Sequence, residues 1–170
     1  MNYLSLDKEH KSIVESILEN KKFIEINNCK HHGITRLEHS IRVSYFSYKI
    51  SKKLHLNTYE VTRAGLLHDY FANDDLSLKS QKVSAFTHPK KALENASKDF
   101  NLSDMEKDII YSHMFPLVPT RPPKYLESWL VSFVDKGVAT YEFSMSFLDK
   151  YLFRYQYLML LFIIFLKRGL

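Results

Sequence analysis

Two adjacent side chains that can bind a metal ion, His68 and Asp69, follow the apolar run Gly65–Leu67. Neighbouring residues in a regular helix point about 100° apart and do not share a face. At the end of a helix the backbone can turn, and both side chains can then reach one point. We therefore predict that a helix ends at this pair and that the pair holds a metal ion.

Four further residues complete the predicted metal site. Each falls at or near a predicted helix end or in an apolar context, and each gap between them fits about one helix and a connection. Four imidazoles and two carboxylates suit Fe, Mn, Co, Ni or Zn better than Mg or Ca, which prefer oxygen ligands. No thiolate is among them to make a structural zinc site. The four residues are His39, His88, His113 and Asp135.

Asp135 lies in the apolar segment Ser132–Lys136, where an unpaired carboxylate is costly to bury. A salt bridge with Lys136 is not expected, because neighbours in a helix do not face each other. Metal ligation is then the simplest explanation for this carboxylate.

Other histidines have plainer interpretations. His10 and His55 stand beside lysines and are interpreted as solvated or capping residues. The segment Cys29–His32 holds a cysteine and two histidines and is an alternative metal or redox site, but its polar, irregular context favours a solvated loop. His31 and His32 could also line the mouth of the cleft before His39.

The elements that must position the ligands are predicted to be helices, because apolar residues recur at helical spacing and no stretch alternates with period two. Thr35 with Glu38, and Ser103 with Glu106, form capping boxes that mark helix starts, and Asn57 repeats the pattern. The predicted helices run over 7–20, 35–54, 57–69, 87–100 and 103–113, another begins at 126 and carries Asp135, and a final helix, kinked or split near 147, ends the chain.

Several local features follow from the same pattern. Thr87 is the expected N-cap of its helix, with Pro89 in the first turn, where proline is favoured. Residues 70–85 are read as a connection, and the four prolines of 114–124 exclude a helix there. The helix that carries His39 is expected to bury an apolar stripe made of Ile41, Val43, Tyr45, Phe46, Tyr48 and Ile50.

Composition bounds the protein class. With 170 residues, 45% of them hydrophobic and 25% charged, the chain has the profile of one soluble globular domain. Its four glycines and five prolines argue against a β-sandwich, and a formal charge of +5 is too modest to indicate stable binding of nucleic acid. The single cysteine excludes an internal disulfide and, with an N-terminus too polar and acidic for a signal peptide, favours the cytoplasm.

The run Tyr157–Leu166 contains ten apolar residues and precedes Lys167 and Arg168. A spanning helix needs about 20 such residues, so membrane association is the less favoured interpretation. A buried helix or a homodimer interface is preferred. We expect a core over about 35–140 and a helical extension over about 141–170.

The order of these motifs resembles the HD-domain metal-dependent phosphohydrolases, and within them the two-metal subset that includes bacterial dinucleoside tetraphosphatases. In that subset too a tyrosine follows the His-Asp pair, as Tyr70 does here. The matching pieces, in the family's order, are Arg36-Leu37-Glu38-His39-Ser40, Gly65-Leu66-Leu67-His68-Asp69-Tyr70, Thr87-His88-Pro89, Ser112-His113 and Val134-Asp135-Lys136.

The resemblance implies an all-α bundle and a ligand assignment. His39, His68, Asp69 and Asp135 would hold a first metal ion, and Asp69 would bridge to a second ion bound by two histidines. That second pair is His88 and His113.

Many family members carry Gly-Lys two residues beyond the His-Asp pair, with the lysine near substrate phosphate. This chain has Phe71-Ala72-Asn73 there, so another basic residue must serve. The candidates are Arg121, Lys124 and Lys136.

The predicted function is hydrolysis of a phosphate ester or anhydride, of a nucleotide for preference, by metal-activated water. Asp69, with His68, is the predicted catalytic residue, because a carboxylate beside the metals can hold or deprotonate that water. Two alternatives stay open. One is a metal-binding regulatory module without turnover, which the missing lysine would suit, and the other is a di-iron oxygenase.

Overall fold

The computed structural model describes the backbone of residues 7–28, 30–31, 34–71 and 84–168, and their side chains except at 28, 30–31, 84–85, 149–150 and 153–168. The predicted all-α fold is confirmed. Two strands of two residues each form a small antiparallel pair. In chain order the elements are α1 (Lys8–Leu18), α2 (Lys21–Ile24), a 3₁₀ turn (Glu25–Asn28), β1 (Lys30–His31), β2 (Ile34–Thr35), α3 (Arg36–Leu54), α4 (Thr58–Leu67), α5 (Ser84–Asp99), α6 (Asp104–Ser112) and α7 (Leu126–Arg168).

The predicted helix starts are confirmed at both capping boxes. The Thr35 and Ser103 side chains accept from the backbone N–H three residues on, and the glutamate at that position accepts from the cap's own N–H. Asn57 caps α4 through its side chain. The predicted end of α4 is also right, since α4 ends at Leu67 with His68 as its C-cap.

The start of α5 differs from the prediction. Thr87 is not the N-cap, because the helix begins three residues earlier, at Ser84, and Pro89 lies inside it. Pro89 therefore removes a hydrogen bond from the second turn of α5, a position that proline usually avoids. The connection before α5 lies, over 72–83, outside the described residues.

The buried face of α3 is made largely of serines. Phe46 and Ile50, expected in the core, are 39% and 37% exposed. Small side chains replace them because they let α3 pack closely on α4, and the Ser44 hydroxyl donates to the Thr62 carbonyl of α4 at 2.8 Å. A Cβ added to Gly65 of α4 would lie 3.2 Å from the Ser44 Cα. The serines, all fully buried, are Ser40, Ser44, Ser47 and Ser51.

The core lies between α1, α3, α4, α5, α6 and α7. Val14 and Ile17 of α1 are fully buried in it. His10 of the same helix is also fully buried, so its interpretation as a solvated histidine is wrong. Its ring packs against Tyr45 and Tyr48 of α3. The lysines near His10 in sequence did not indicate its exposure, because adjacent residues of a helix do not share a face. His55 is exposed and is the C-cap of α3, as expected.

The C-terminal helix α7 is continuous from Leu126 to Arg168 and is not split at Phe147. Beyond its first four turns it exposes large apolar side chains, such as Tyr151 at 67% and Phe143 at 61%. Among the residues that the structure describes, no helix combines the length and hydropathy that crossing a bilayer requires. The division into core and extension, and a homodimer through this helix, stay predictions.

Candidate metal centre

Six side chains from five helices meet at one buried point, and four of them lie at or next to a helix end. His39 is in the first turn of α3, His68 and Asp69 directly follow α4, and His113 is the C-cap of α6. His88 lies in the second turn of α5 and Asp135 in the third turn of α7. The start of α3 and the ends of α4 and α6 lie close together, and this brings His39, His68 and His113 to one place.

The first set of donor atoms is centred on Asp135. Its Oδ1 lies 3.1 Å from His39 Nε2 and 3.6 Å from His68 Nε2. The same His68 nitrogen lies 3.8 Å from Asp69 Oδ2. Two atoms that each lie about 2.1 Å from a shared cation are about 3.0–3.4 Å apart, so these separations suit a common ion after small adjustments.

The second set is centred on the other oxygen of Asp69. Oδ1 of Asp69 lies 3.3 Å from His88 Nε2 and 3.7 Å from His113 Nε2. The two histidine nitrogens are 2.9 Å apart. Because Oδ1 faces this set and Oδ2 faces the first, Asp69 has the position of a bridging carboxylate.

Within the described chain, three overlapping triads have donor atoms within 4.8 Å of one another. All their members are buried. Together the triads contain each of the six predicted ligands, so the structure brings these side chains together. They are His39, His68 and Asp69; His68, His113 and Asp135; and Asp69, His88 and His113.

The donor atoms have the chemistry that a divalent ion needs. His68 Nδ1 donates to the Gly65 carbonyl at 2.8 Å, and His113 Nδ1 donates to the Ile110 carbonyl at 2.7 Å. Each ring therefore turns an Nε2 lone pair toward the cluster. His68 Nε2 and Asp69 Oδ1 are buried and have no hydrogen-bond partner. Orphaned acceptors are costly in a protein interior, and a cation at the cluster would satisfy both.

Both carboxylates are ionised at neutral pH. Burial alone would raise the pKa of Asp69, but the surrounding histidines hold it below its ordinary value. Burial also opposes ionisation of Asp135, whose pKa is held well below its ordinary value by the hydrogen bond from His39 and by the nearby His68 and Lys136. The centre thus presents two negative charges to a metal ion.

The histidines of the two sets differ in charge. Burial would lower the pKa of His39, yet hydrogen bonds to Asp135 and Glu142 raise it to about 10. A cation that binds at His39 takes the place of the proton on Nε2. Burial and the nearby His88 lower the pKa of His113 to about 3, so this ligand is already neutral.

Glu142, which sequence reasoning missed, is part of the site. Its Oε2 lies 2.8 Å from His39 Nδ1, its Oε1 lies 3.0 Å from Arg42 Nη1, and its side chain is fully buried. A signal was available, because Glu142 is an acidic residue in an apolar helix two turns after Asp135, and so on the same face. The cost of burying a carboxylate, which identified Asp135, applies equally to Glu142.

A stack of three side chains supports His88. The guanidinium of Arg36 lies 3.8 Å from the centroid of the Phe71 ring, and its Nη1 donates to the Phe71 carbonyl at 2.6 Å. The Phe71 ring in turn stacks on His88, with centroids 5.2 Å apart. Phe71, which stands where many proteins of the resembling family carry Gly-Lys, thus packs on the predicted ligand His88.

The candidate phosphate-binding residues are placed differently. Lys136 lies at the centre, where its ammonium donates to Asp135 Oδ2 at 3.1 Å and to the His113 carbonyl. The expectation that Lys136 would not pair with Asp135 is therefore wrong. The long lysine side chain can fold back over its neighbour although the two Cβ atoms diverge.

Arg121 and Lys124 belong to the loop before α7. The Arg121 guanidinium lies 4.4 Å from the Tyr111 ring, and the Lys124 backbone N–H donates to Asp108 Oδ2 at 2.9 Å. Within the described part of the chain, no hydrogen bond or ion pair joins either side chain to the six ligands. Their role toward substrate stays a prediction.

Two further interpretations have definite outcomes. Tyr70, which follows the His-Asp pair, is 5% exposed, and its hydroxyl donates to Asp99 Oδ2 at 2.8 Å, so it ties α5 to the end of α4. The alternative site at Cys29–His32 lies outside the side chains that the structure describes.

Comparison with known families agrees with this geometry. The family model of the HD domain matches residues 36–139, which is more than half of the chain and contains all six ligands. The chain therefore belongs to the HD domain family, whose members bind divalent metal ions and which implies metal-dependent phosphohydrolase chemistry. The search of curated proteins gives no match. The search of solved structures also gives none.

Proposed function

We propose that this protein is a metal-dependent phosphohydrolase that hydrolyses a phosphate ester or anhydride, with a nucleotide as the preferred substrate class. The observation that carries the proposal is the position of Asp69, whose two oxygens face two separate groups of histidine nitrogens. Divalent ions held there would neutralise phosphate charge and lower the pKa of a water molecule.

The chain's own residues then have definite tasks. Asp69 is negatively charged and buried beside both donor sets, so it is placed to orient the attacking water and to accept its proton. His68 is held by the Gly65 carbonyl and keeps its lone pair directed at the centre. Water attacks phosphorus, the P–O bond to the leaving group breaks, and the proton passes to the carboxylate.

Binding of a substrate phosphate needs positive charge in addition to that of the metal ions. The Lys136 ammonium is at the centre and its side chain is 25% exposed, so it can exchange its present partners for a phosphate oxygen. Arg121 and Lys124 are the further candidates. The preference for a nucleotide is supported by the sequence pattern shared with dinucleoside tetraphosphatases and by the net charge of +5.

The test is a substrate panel of nitrophenyl phosphates, nucleotides and dinucleoside polyphosphates, with Mn²⁺ or Fe²⁺ added to protein purified without chelator. Asp69→Ala is expected to lower turnover by about 10²–10⁴-fold while the far-UV circular dichroism spectrum keeps its helical form. Asp104→Ala is the matched control, because Asp104 is an exposed carboxylate in α6, away from the ligands.

Each outcome of the panel has one meaning. Wild-type turnover in Asp69→Ala would contradict the mechanism. Tight metal binding with no turnover on any substrate would favour the regulatory module, and oxygen consumption by the iron-loaded protein would favour the oxygenase.

A further inference from the structure

The ligand histidines are oriented in two different ways. His68 and His113 donate from Nδ1 to carbonyls three residues earlier, at Gly65 and Ile110. Both carbonyls belong to the last turn of a helix, where the backbone oxygens have no partner within the helix. For these two ligands the helix end itself fixes the ring and its tautomer.

His39 cannot use that device. It lies in the first turn of α3, where the nearby carbonyls accept hydrogen bonds from the next turn of the helix. A ligand that binds metal through Nε2 still needs an acceptor for its Nδ1–H, because that bond fixes the tautomer and the ring orientation. The acceptor must therefore come from another element.

Glu142 of α7 meets this need. Its Oε2 accepts from His39 Nδ1 at 2.8 Å, on the side of the ring opposite to the 3.1 Å contact between Nε2 and Asp135. Arg42 holds the other oxygen at 3.0 Å and offsets the buried negative charge. Glu142 lies outside residues 36–139, the part of the chain that the family model matches.

We propose that Glu142 is the positioning residue of His39, which it holds with Nε2 turned toward the metal site. The proposal rests on the proposed metal centre. A residue of α7 beyond the matched residues 36–139 would then belong to the metal site. Tight metal binding at His39 would require α7 to hold Glu142 in its present position.

The test compares Glu142→Leu, which has no acceptor, with Glu142→Gln, whose amide oxygen is a weaker acceptor of similar size. Calorimetric titration of the metal-free proteins with Mn²⁺ gives the affinities. We expect Glu142→Leu to bind about 10–100-fold more weakly and Glu142→Gln to fall between it and the wild type. Glu15→Gln is the control, because Glu15 is an exposed glutamate of α1.

A second readout separates positioning from general destabilisation. Long-range ¹H–¹⁵N spectra of the Zn²⁺-loaded protein report which nitrogen of His39 carries a proton. We expect an Nδ1–H that is shifted to low field and protected from exchange with water in the wild type and in Glu142→Gln, and an Nδ1–H that exchanges rapidly with water in Glu142→Leu.

The outcomes distinguish the two proposals. Wild-type protein that binds no Mn²⁺ would remove the metal centre itself. If Glu142→Leu binds Mn²⁺ as tightly as the wild type and its His39 Nδ1–H is equally protected, only the role of Glu142 is removed. If the leucine variant does not fold, Glu142→Gln decides alone, and an affinity within about twofold of the wild type overturns the proposal.

Discussion

The Nε2 atoms of His88 and His113 lie 2.9 Å apart. His113 donates through Nδ1 to the Ile110 carbonyl, so its Nε2 carries a lone pair directed at His88. Two imidazole nitrogens at this separation, both near the same oxygen of Asp69, have the spacing of ligands that share one cation. With Asp69, the two histidines therefore form a second group of donor atoms, separate from the group at His39 and Asp135.

This relationship predicts the number of ions bound. We expect elemental analysis of the wild type, loaded with Mn²⁺ and dialysed, to give two ions per chain, and His88→Ala to give one. The ion at His39, His68 and Asp135 stays because none of its donor atoms is removed. His55→Asn is the control, because His55 is exposed and asparagine tolerates its left-handed backbone (φ 55°). Two ions in His88→Ala would refute the assignment.

The close contact of α4 with α3 predicts opposite effects at two helical glycines. An added methyl group at Gly65 would lie 3.2 Å from the Ser44 Cα, a backbone atom in a buried helix that cannot yield cheaply. We expect Gly65→Ala to lower the free energy of unfolding by about 1–3 kcal/mol. Gly137→Ala meets nothing within 4 Å and is expected to raise it by up to about 1 kcal/mol. Urea denaturation of the metal-free proteins measures both, and equal effects at the two sites would argue against tight packing at Gly65.

The Arg36–Phe71 contact predicts a graded loss of stability. Arg36→Met removes the 2.6 Å hydrogen bond to the Phe71 carbonyl and the guanidinium stacked on the ring. Together these changes are expected to cost about 2–4 kcal/mol. Arg36→Lys keeps the charge but not the planar group, so it should lose about half as much. Equal stability of the methionine and lysine variants would show that the planar group contributes nothing.

Much of the site could be predicted because its residues are governed by local rules. The capping boxes at Thr35 and Ser103 and the helix end at His68 depend on hydrogen bonds between neighbours in sequence, which the sequence displays directly. His39, His68 and Asp69 lie at two of those helix ends, and the order of the six predicted ligands along the chain matches a family pattern. Fold and ligand set follow from the same short-range signals.

The remaining features depend on tertiary packing. Val43 and Tyr48 of the expected apolar stripe are buried, but Phe46 and Ile50 are exposed. Serines line the α3–α4 contact because the close approach of two helices favours small side chains. Pro89 lies inside α5 although local preference places proline in a first turn. Glu142 could be marked as a buried carboxylate by its apolar surroundings. Its pairing with His39, 103 residues away in sequence, depends on tertiary packing.

The buried His10 predicts a pH dependence of stability. Its Nε2–H donates to Ser44 Oγ at 3.1 Å, since that hydroxyl already donates to Thr62, and its Nδ1 is buried with no partner. Protonation would create a buried N–H without an acceptor. Burial accordingly lowers the pKa of His10 to about 4, although Asp7 acts in the opposite direction.

Because the pKa of His10 is lower in the folded protein than in the unfolded chain, the unfolded chain binds the extra proton between about pH 6.5 and pH 4. The contribution of His10 to stability is complete above pH 6.5 and falls by up to about 3 kcal/mol as the pH drops to 4. His10→Gln has no such group, so its stability relative to the wild type should improve over that range. Urea denaturation in the presence of chelator, from pH 7.5 to pH 4.5, measures the difference. A difference that stays constant with pH would show that His10 does not titrate as its surroundings require.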